Sequence, residues 1–129
     1  MRLLYQASIC LGIVASLWIG SARAIDNPGL ASVHQHVVGQ FSEVRHIDPA
    51  ALKALAPEDV LLFDVREPDE FAVSRLRGAQ QVSPKTLASA FVEKFGARVG
   101  GKRVVFYCSV GRRSSKVAEL VQRQLIDAG

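Results

Sequence analysis

Apolar residues are spread unevenly along the 129-residue chain, and their spacing divides it into a leader, a connecting stretch and a domain. Residues 1–24, MRLLYQASICLGIVASLWIGSARA, carry Arg2 at the start, then a long apolar run, then the small-x-small triplet Ala22-Arg23-Ala24. A basic start, an apolar run and a small-residue site in that order predict a secretory signal peptide cleaved before Ile25. The alternative is an uncleaved membrane anchor, since the apolar run is about as long as the shortest spanning helices. Either way the polar part is exported, with the periplasm as the expected compartment and a membrane partner only if the leader stays attached. Residues 25–43 hold turn formers and then a mixed stretch without a clear period, and read as a linker and lead-in to a domain over 44–129.

Within that domain, VRHID (44–48) is expected as a short strand and residues 48–59 as a brief helix. Asp48 suits its N-cap and Pro49 its first position, with Leu52 and Leu55 turned inward. VLLFDV (60–65) is apolar throughout except for Asp64, as expected of a parallel strand buried on both faces. EPDEFAVSRL (67–76) predicts a helix with Pro68, Asp69 and Glu70 in its first turn, and Glu70 reads only as an acid that favours the helix dipole. AQQVSP (79–84) allows a short strand. In SPKTLASAFVEKFG (83–96), Ser83 caps a helix, Pro84 opens it, Leu87, Phe91 and Phe95 share a face, and Gly96 lies beyond the end. KRVVFYC (102–108) is the clearest strand. The last segment (113–129) sets Val117, Leu120, Val121 and Leu125 at helical spacing, with Gly129 as the expected cap. Strands alternating with helices predict an α/β fold: an open, mostly parallel sheet with helices on both faces.

Charge and cysteine content refine this picture. Losing Arg2 and Arg23 with the leader leaves 14 basic residues against 12 acidic ones, a net charge of only +2 over 105 residues. No long basic run or aromatic–basic interleaving occurs, which argues against nucleic acid as a partner. Cys10 leaves with the leader, so Cys108 stands alone in an oxidising compartment, either buried and inert or reactive. His34 and His36, with His46 further on, lack a cysteine or clear acidic partner nearby; they are expected to be solvated, and no metal or organic cofactor is implied.

Cys108 ends a strand, where open α/β sheets bind their ligands. The residues after it, Ser109-Val110-Gly111-Arg112-Arg113, lead directly into a helix, so backbone N–H groups can converge on one point while Gly111 takes angles other residues resist. Such a nest favours an anion, two guanidinium groups add to it, and a thiol there loses its proton more easily than a free one. Cysteine is often simply buried. An inert buried cysteine, however, has no need of Gly-Arg-Arg beside it.

At these residues the chain resembles the rhodanese, or sulfurtransferase, domain family. YCSVGRRSSKVAELVQ is similar to its active-site segment, a six-residue loop from Cys108 to Arg113 before a helix. LLFDVREPDEF resembles its Asp-x-Arg hallmark, and RGAQQVSP the segment that follows; together they cover about residues 44–129 in the family's order. The resemblance implies that the Cys108 thiolate takes a sulfane sulfur from a small anionic donor such as thiosulfate and passes it to cyanide, a thiol or a protein acceptor. It makes Ser109 to Arg113 the substrate-binding loop and Asp64 and Arg66 supporting residues, and leaves open which of Arg112 and Arg113 points into the site. A rhodanese-like module that binds or carries sulfur without turnover is the alternative. Tyrosine phosphatases of similar fold place an arginine sixth after the cysteine. Here that position is Ser114, and the loop is too short to cradle phosphate. Two features depart from the family pattern. Arg75 occupies a position where a histidine is common, with consequences for loop packing or donor choice. The usual strand after the last helix is also lacking, so the domain reads as C-terminally incomplete, with the strand bearing Cys108 short of a neighbour unless VRHID pairs there.

Overall fold

The computed structural model describes residues 28–128. The leader, its cleavage site and the Gly129 cap lie outside the described residues. Among the described residues, three strands form one open parallel sheet: β1 (Val60–Asp64), β2 (Gln80–Gln81) and β3 (Arg103–Tyr107), in the order β2-β1-β3. Five α-helices of the described residues accompany it: α1 (Pro28–Gln40), α2 (Pro49–Lys53), α3 (Pro68–Val73), α4 (Ala88–Val99) and α5 (Arg112–Asp127). The expected open α/β sheet with helices is therefore present, each parallel pair joined through a helical crossover.

β1 is central, and alternation sorts its side chains. Leu61 and Phe63 share a face with Val104 and Phe106 of β3, where α4 and α5 pack together and supply Phe91, Phe95, Val117 and Val121. Phe63 is fully buried, with ring centroids 4.9, 4.8 and 5.4 Å from those of Phe91, Phe95 and Phe106. The other face carries Leu62 opposite Val105 and Asp64 opposite Tyr107. Beyond β1, Val65 N–H donates to Tyr107 C=O at 2.8 Å and Val82 N–H to Asp64 C=O at 2.9 Å. This register brings the carboxyl ends of β1 and β3 level, so Asp64, Arg66, Tyr107 and Cys108 meet at one rim.

Several local expectations are corrected. Residues 25–43 are not merely a lead-in, because α1 forms there and buries Val37, with Phe41 one turn on; Leu30, Val33 and Val38 stay exposed, which blurs the period. VRHID is not a strand. It runs irregularly to Asp48, whose Oδ1 accepts from Ala51 N–H at 2.8 Å and caps α2, so among the described strands β3 pairs only with β1. α2 is short, since Pro57 holds Ala56 extended and a 3-10 turn (Pro57–Asp59) leads into β1. Ser83 closes a turn instead of capping α4: Thr86 N–H donates to Ser83 C=O at 3.0 Å and Lys85 N–H to Ser83 Oγ at 3.2 Å. Leu87 becomes the cap residue of α4 and is 70% exposed, while Gly96 lies inside the helix, which continues until Val99 reaches the core. On α5, Leu120 faces outward although Val117 and Val121 are buried.

Candidate active site

Cys108 follows the last residue of β3 and faces the first turn of α5. Gly111 takes φ 88°, a left-handed angle, and this turns the chain so that its N–H donates to Cys108 Sγ at 3.2 Å. Val37 of α1 lies against Gly111: its Cγ1 is 3.6 Å from where a Cβ on Gly111 would stand. The N–H groups of Val110 and Ser114 also reach the sulfur, and Ser114 Oγ sits 3.5 Å from it while contacting Gly111 C=O at 3.0 Å. Burial alone would push the Cys108 thiol up. Hydrogen bonds from Ser114, Val110 and Gly111 outweigh burial and hold it below its ordinary value. Cys108 is a free thiol in a partly exposed residue.

The two arginines divide. Arg113 grips Glu70 of α3 with two hydrogen bonds, Nη1 to Oε2 at 2.6 Å and Nη2 to Oε1 at 2.9 Å, and Nη2 also meets Ser109 Oγ at 3.1 Å. Ser109 Oγ in turn donates to Glu70 Oε1 at 3.2 Å, and Glu67 N–H to Glu70 Oε2 at 3.2 Å. Glu70 is thus the brace that ties the loop to α3, a role its place in a helix first turn did not suggest. Its carboxyl is held down at about 2, chiefly by Arg113, then by Glu67 N–H. Arg113 is raised above its usual range mainly by Glu70, and it also senses the charge of Cys108. Arg112 is exposed and has no hydrogen bond or ion pair among the described residues, which leaves its charge available at the loop's outer edge.

Asp64 and Arg66 form the second support. Asp64 is fully buried, and Arg66 donates Nε to Oδ1 at 2.8 Å and Nη2 to Oδ2 at 2.6 Å. Burial pushes Asp64 up, but hydrogen bonds from Arg66 and Tyr107 win and its pKa falls. Tyr107 is raised by burial and by the nearby Asp64 charge, and its hydroxyl accepts from Leu76 N–H at 3.1 Å. Arg66 Nη2 also reaches Ser74 C=O, and Gln81 Nε2 donates to Arg66 C=O at 2.8 Å. The pair therefore ties β1 to β2 and to the chain after α3. An open pocket of about 290 Å³ lies beside it, lined by Arg66, Ser74, Arg75, Leu76, Tyr107 and Cys108.

The predicted residues Cys108 to Arg113, Asp64 and Arg66 thus gather at one rim. Ser114, Glu70 and Tyr107 complete the site and went unpredicted; only the place of Ser114 in the first turn after the loop was a usable local signal. His34 and His46 pack edge to face with centroids 6.1 Å apart, and no cluster of three metal-ligating side chains occurs among the described residues.

The thiol's acidity gives a testable consequence. Alkylation of Cys108 by iodoacetamide, read by peptide mass against pH, is expected to reach half its maximal rate below the free-thiol value of about 8.5. Ser114→Ala removes a hydrogen bond to the thiolate and should move that midpoint upward. An unchanged midpoint would assign the lowering to the backbone N–H groups alone.

The parallel α/β sheet ends β3 at a partly exposed cysteine whose sulfur receives N–H donors from the loop that opens α5. The chain belongs to the rhodanese-like domain family, whose model matches residues 48–129. Searches of curated proteins and of solved structures return no match.

Proposed function

We propose that this protein is a sulfurtransferase working after export, probed most simply with thiosulfate as donor. The family includes both sulfurtransferases and non-catalytic members. One observation carries the catalytic reading: Cys108 is partly exposed, and its Sγ is surrounded by donors that lower its pKa. A cysteine serving only to fill space gains nothing from that arrangement.

The thiolate attacks the outer, sulfane sulfur of thiosulfate. The donor's S–S bond breaks, its electron pair leaves with sulfite, and a new Sγ–S bond makes Cys108 a persulfide anion. The N–H groups of Val110, Gly111 and Ser114, already directed at the sulfur, offset the negative charge there. Arg112 draws in the anionic donor, while Arg113 keeps the loop in shape through Glu70. Cyanide or a thiolate then attacks the outer sulfur, carries it away and regenerates the Cys108 thiolate. Transfer through a covalent intermediate gives ping-pong kinetics.

Intact-mass measurement tests this reading. Incubation with thiosulfate is expected to add one sulfur atom, mapped to the Cys108 peptide and removed by cyanide. A folded protein that gains no sulfur from thiosulfate or from thiosulfonates would count against transfer and favour a binding role.

A further inference from the structure

α1 lies outside the residues matched by the family model, yet it reaches the cysteine loop. An isolated helix of its 13 residues is marginal in water, so its stability comes from what it docks against. Val37 is 2% exposed and Phe41 7%, while Leu30, Val33 and Val38 stay open to solvent. The surface that covers Val37 includes Gly111, the residue before α5. Two polar contacts moor the chain just beyond α1: Gln122 Nε2 of α5 donates to Glu43 C=O at 3.2 Å, and His46 Nε2 lies 3.4 Å from Phe41 C=O. The segment therefore meets α5 at its start and again about three turns along. Gly111 needs such support. It holds φ 88° and sends its N–H to Cys108 Sγ at 3.2 Å, but a glycine visits other backbone angles easily, and Ser109 and Val110 before it are exposed. Val37 is β-branched and keeps essentially one side-chain rotamer in a helix, so it offers Gly111 a surface of fixed shape.

We propose that α1 is a clamp on the cysteine loop: Val37 seats against Gly111 and keeps it in the left-handed turn from which its N–H faces Cys108 Sγ. Val37 touches no reacting atom; it is a positioning residue that acts through Gly111. An unclamped loop spends part of its time with the Gly111 N–H turned away and the sulfur short of one donor. Docking of α1 removes those states, so a helix that precedes the family domain sets how readily the thiol ionises. The clamp acts on the setting of the sulfur and stands whether or not sulfur transfer is the protein's activity.

The test follows Cys108 alkylation by iodoacetamide against pH on the full chain, with peptide mass separating Cys108 from Cys10. The rate relative to its high-pH plateau gives the thiolate fraction and does not depend on access. Val37→Ala is expected to shift the ionisation equilibrium about tenfold towards the thiol, the scale of one hydrogen bond to a charged group, and so to raise the midpoint. Val38→Ala, at a solvent-facing position of the same helix, should leave the midpoint in place. Val37→Thr keeps the branched shape and should keep the midpoint, even where its buried hydroxyl lowers the melting temperature. A midpoint unmoved by Val37→Ala, or moved equally by Val38→Ala, would overturn the clamp. If Val37→Ala fails to fold, hydrogen exchange on the parent chain decides. The amides of α1 and those of Val110 and Gly111 are expected to lose protection together as urea is added, with one opening free energy, before the β1–β3 core opens. A loop that stays protected after α1 has opened would refute the proposal. Failure to transfer sulfur from thiosulfate would count against the proposed function and leave both of these measurements intact.

Discussion

Cys108→Ser is expected to lose sulfur transfer by more than about a thousandfold, the scale on which a covalent nucleophile's removal is felt. The groups around Sγ are donors: the N–H groups of Val110, Gly111 and Ser114 and the Ser114 hydroxyl. Such a setting suits a thiol, which ionises readily there. It does little for an alcohol, because no general base among these groups is placed to take a serine proton. Thiocyanate formation from thiosulfate and cyanide measures the loss, and the parent chain should give the parallel double-reciprocal lines of a ping-pong scheme. Serine is nearly isosteric with cysteine, so an unchanged melting temperature would show that chemistry, not folding, was removed. A residual rate within tenfold of the parent would place the nucleophile elsewhere.

Phe63→Ala is expected to have the largest effect on stability. Phe63 is fully buried at the centre of β1 and contacts Phe91, Phe95 and Phe106, so its truncation opens a cavity that both helices and β3 line. Losses for a buried phenylalanine run about 3–5 kcal/mol. Total stability is commonly about 5–15 kcal/mol, and a domain this small has little in reserve. Urea unfolding should show a much lower midpoint with a similar slope. A midpoint shift worth less than about 1 kcal/mol would mean that the three rings close over the gap. Because Asp64 follows Phe63 directly on β1, the same change is also expected to loosen the Asp64–Arg66 pair and slow transfer at temperatures well below the melt.

The features legible in the sequence are those encoded by neighbouring residues. The apolar run of β1, the strand β3 and the i, i+4 spacing of Val117 and Val121 each state their structure locally, and all three elements are present. Asp48 as the cap of α2 was legible for the same reason. Misreadings arose where local signals competed. Ser83-Pro84 carries cap chemistry, but a turn used it first, and α4 begins at Ala88. α1 shows no clear period because its exposed face, with Leu30, Val33 and Val38, is nearly as apolar as the two residues, Val37 and Phe41, that anchor it.

The sequence by itself determined that a cysteine ends a strand and that a glycine turn follows, so the N–H groups of Val110, Gly111 and Ser114 point back to its sulfur. That geometry depends on consecutive backbone angles. Only the tertiary structure decided how the charges are divided. Arg113 lies 43 residues from Glu70, and they meet because β1 and β3 are adjacent and in register, bringing α3 beside the start of α5. The same register sets Arg66 and Tyr107 around Asp64 and leaves Arg75 at the mouth of the pocket. Pairing between charges far apart in the chain follows from strand order and burial, which no local pattern encodes.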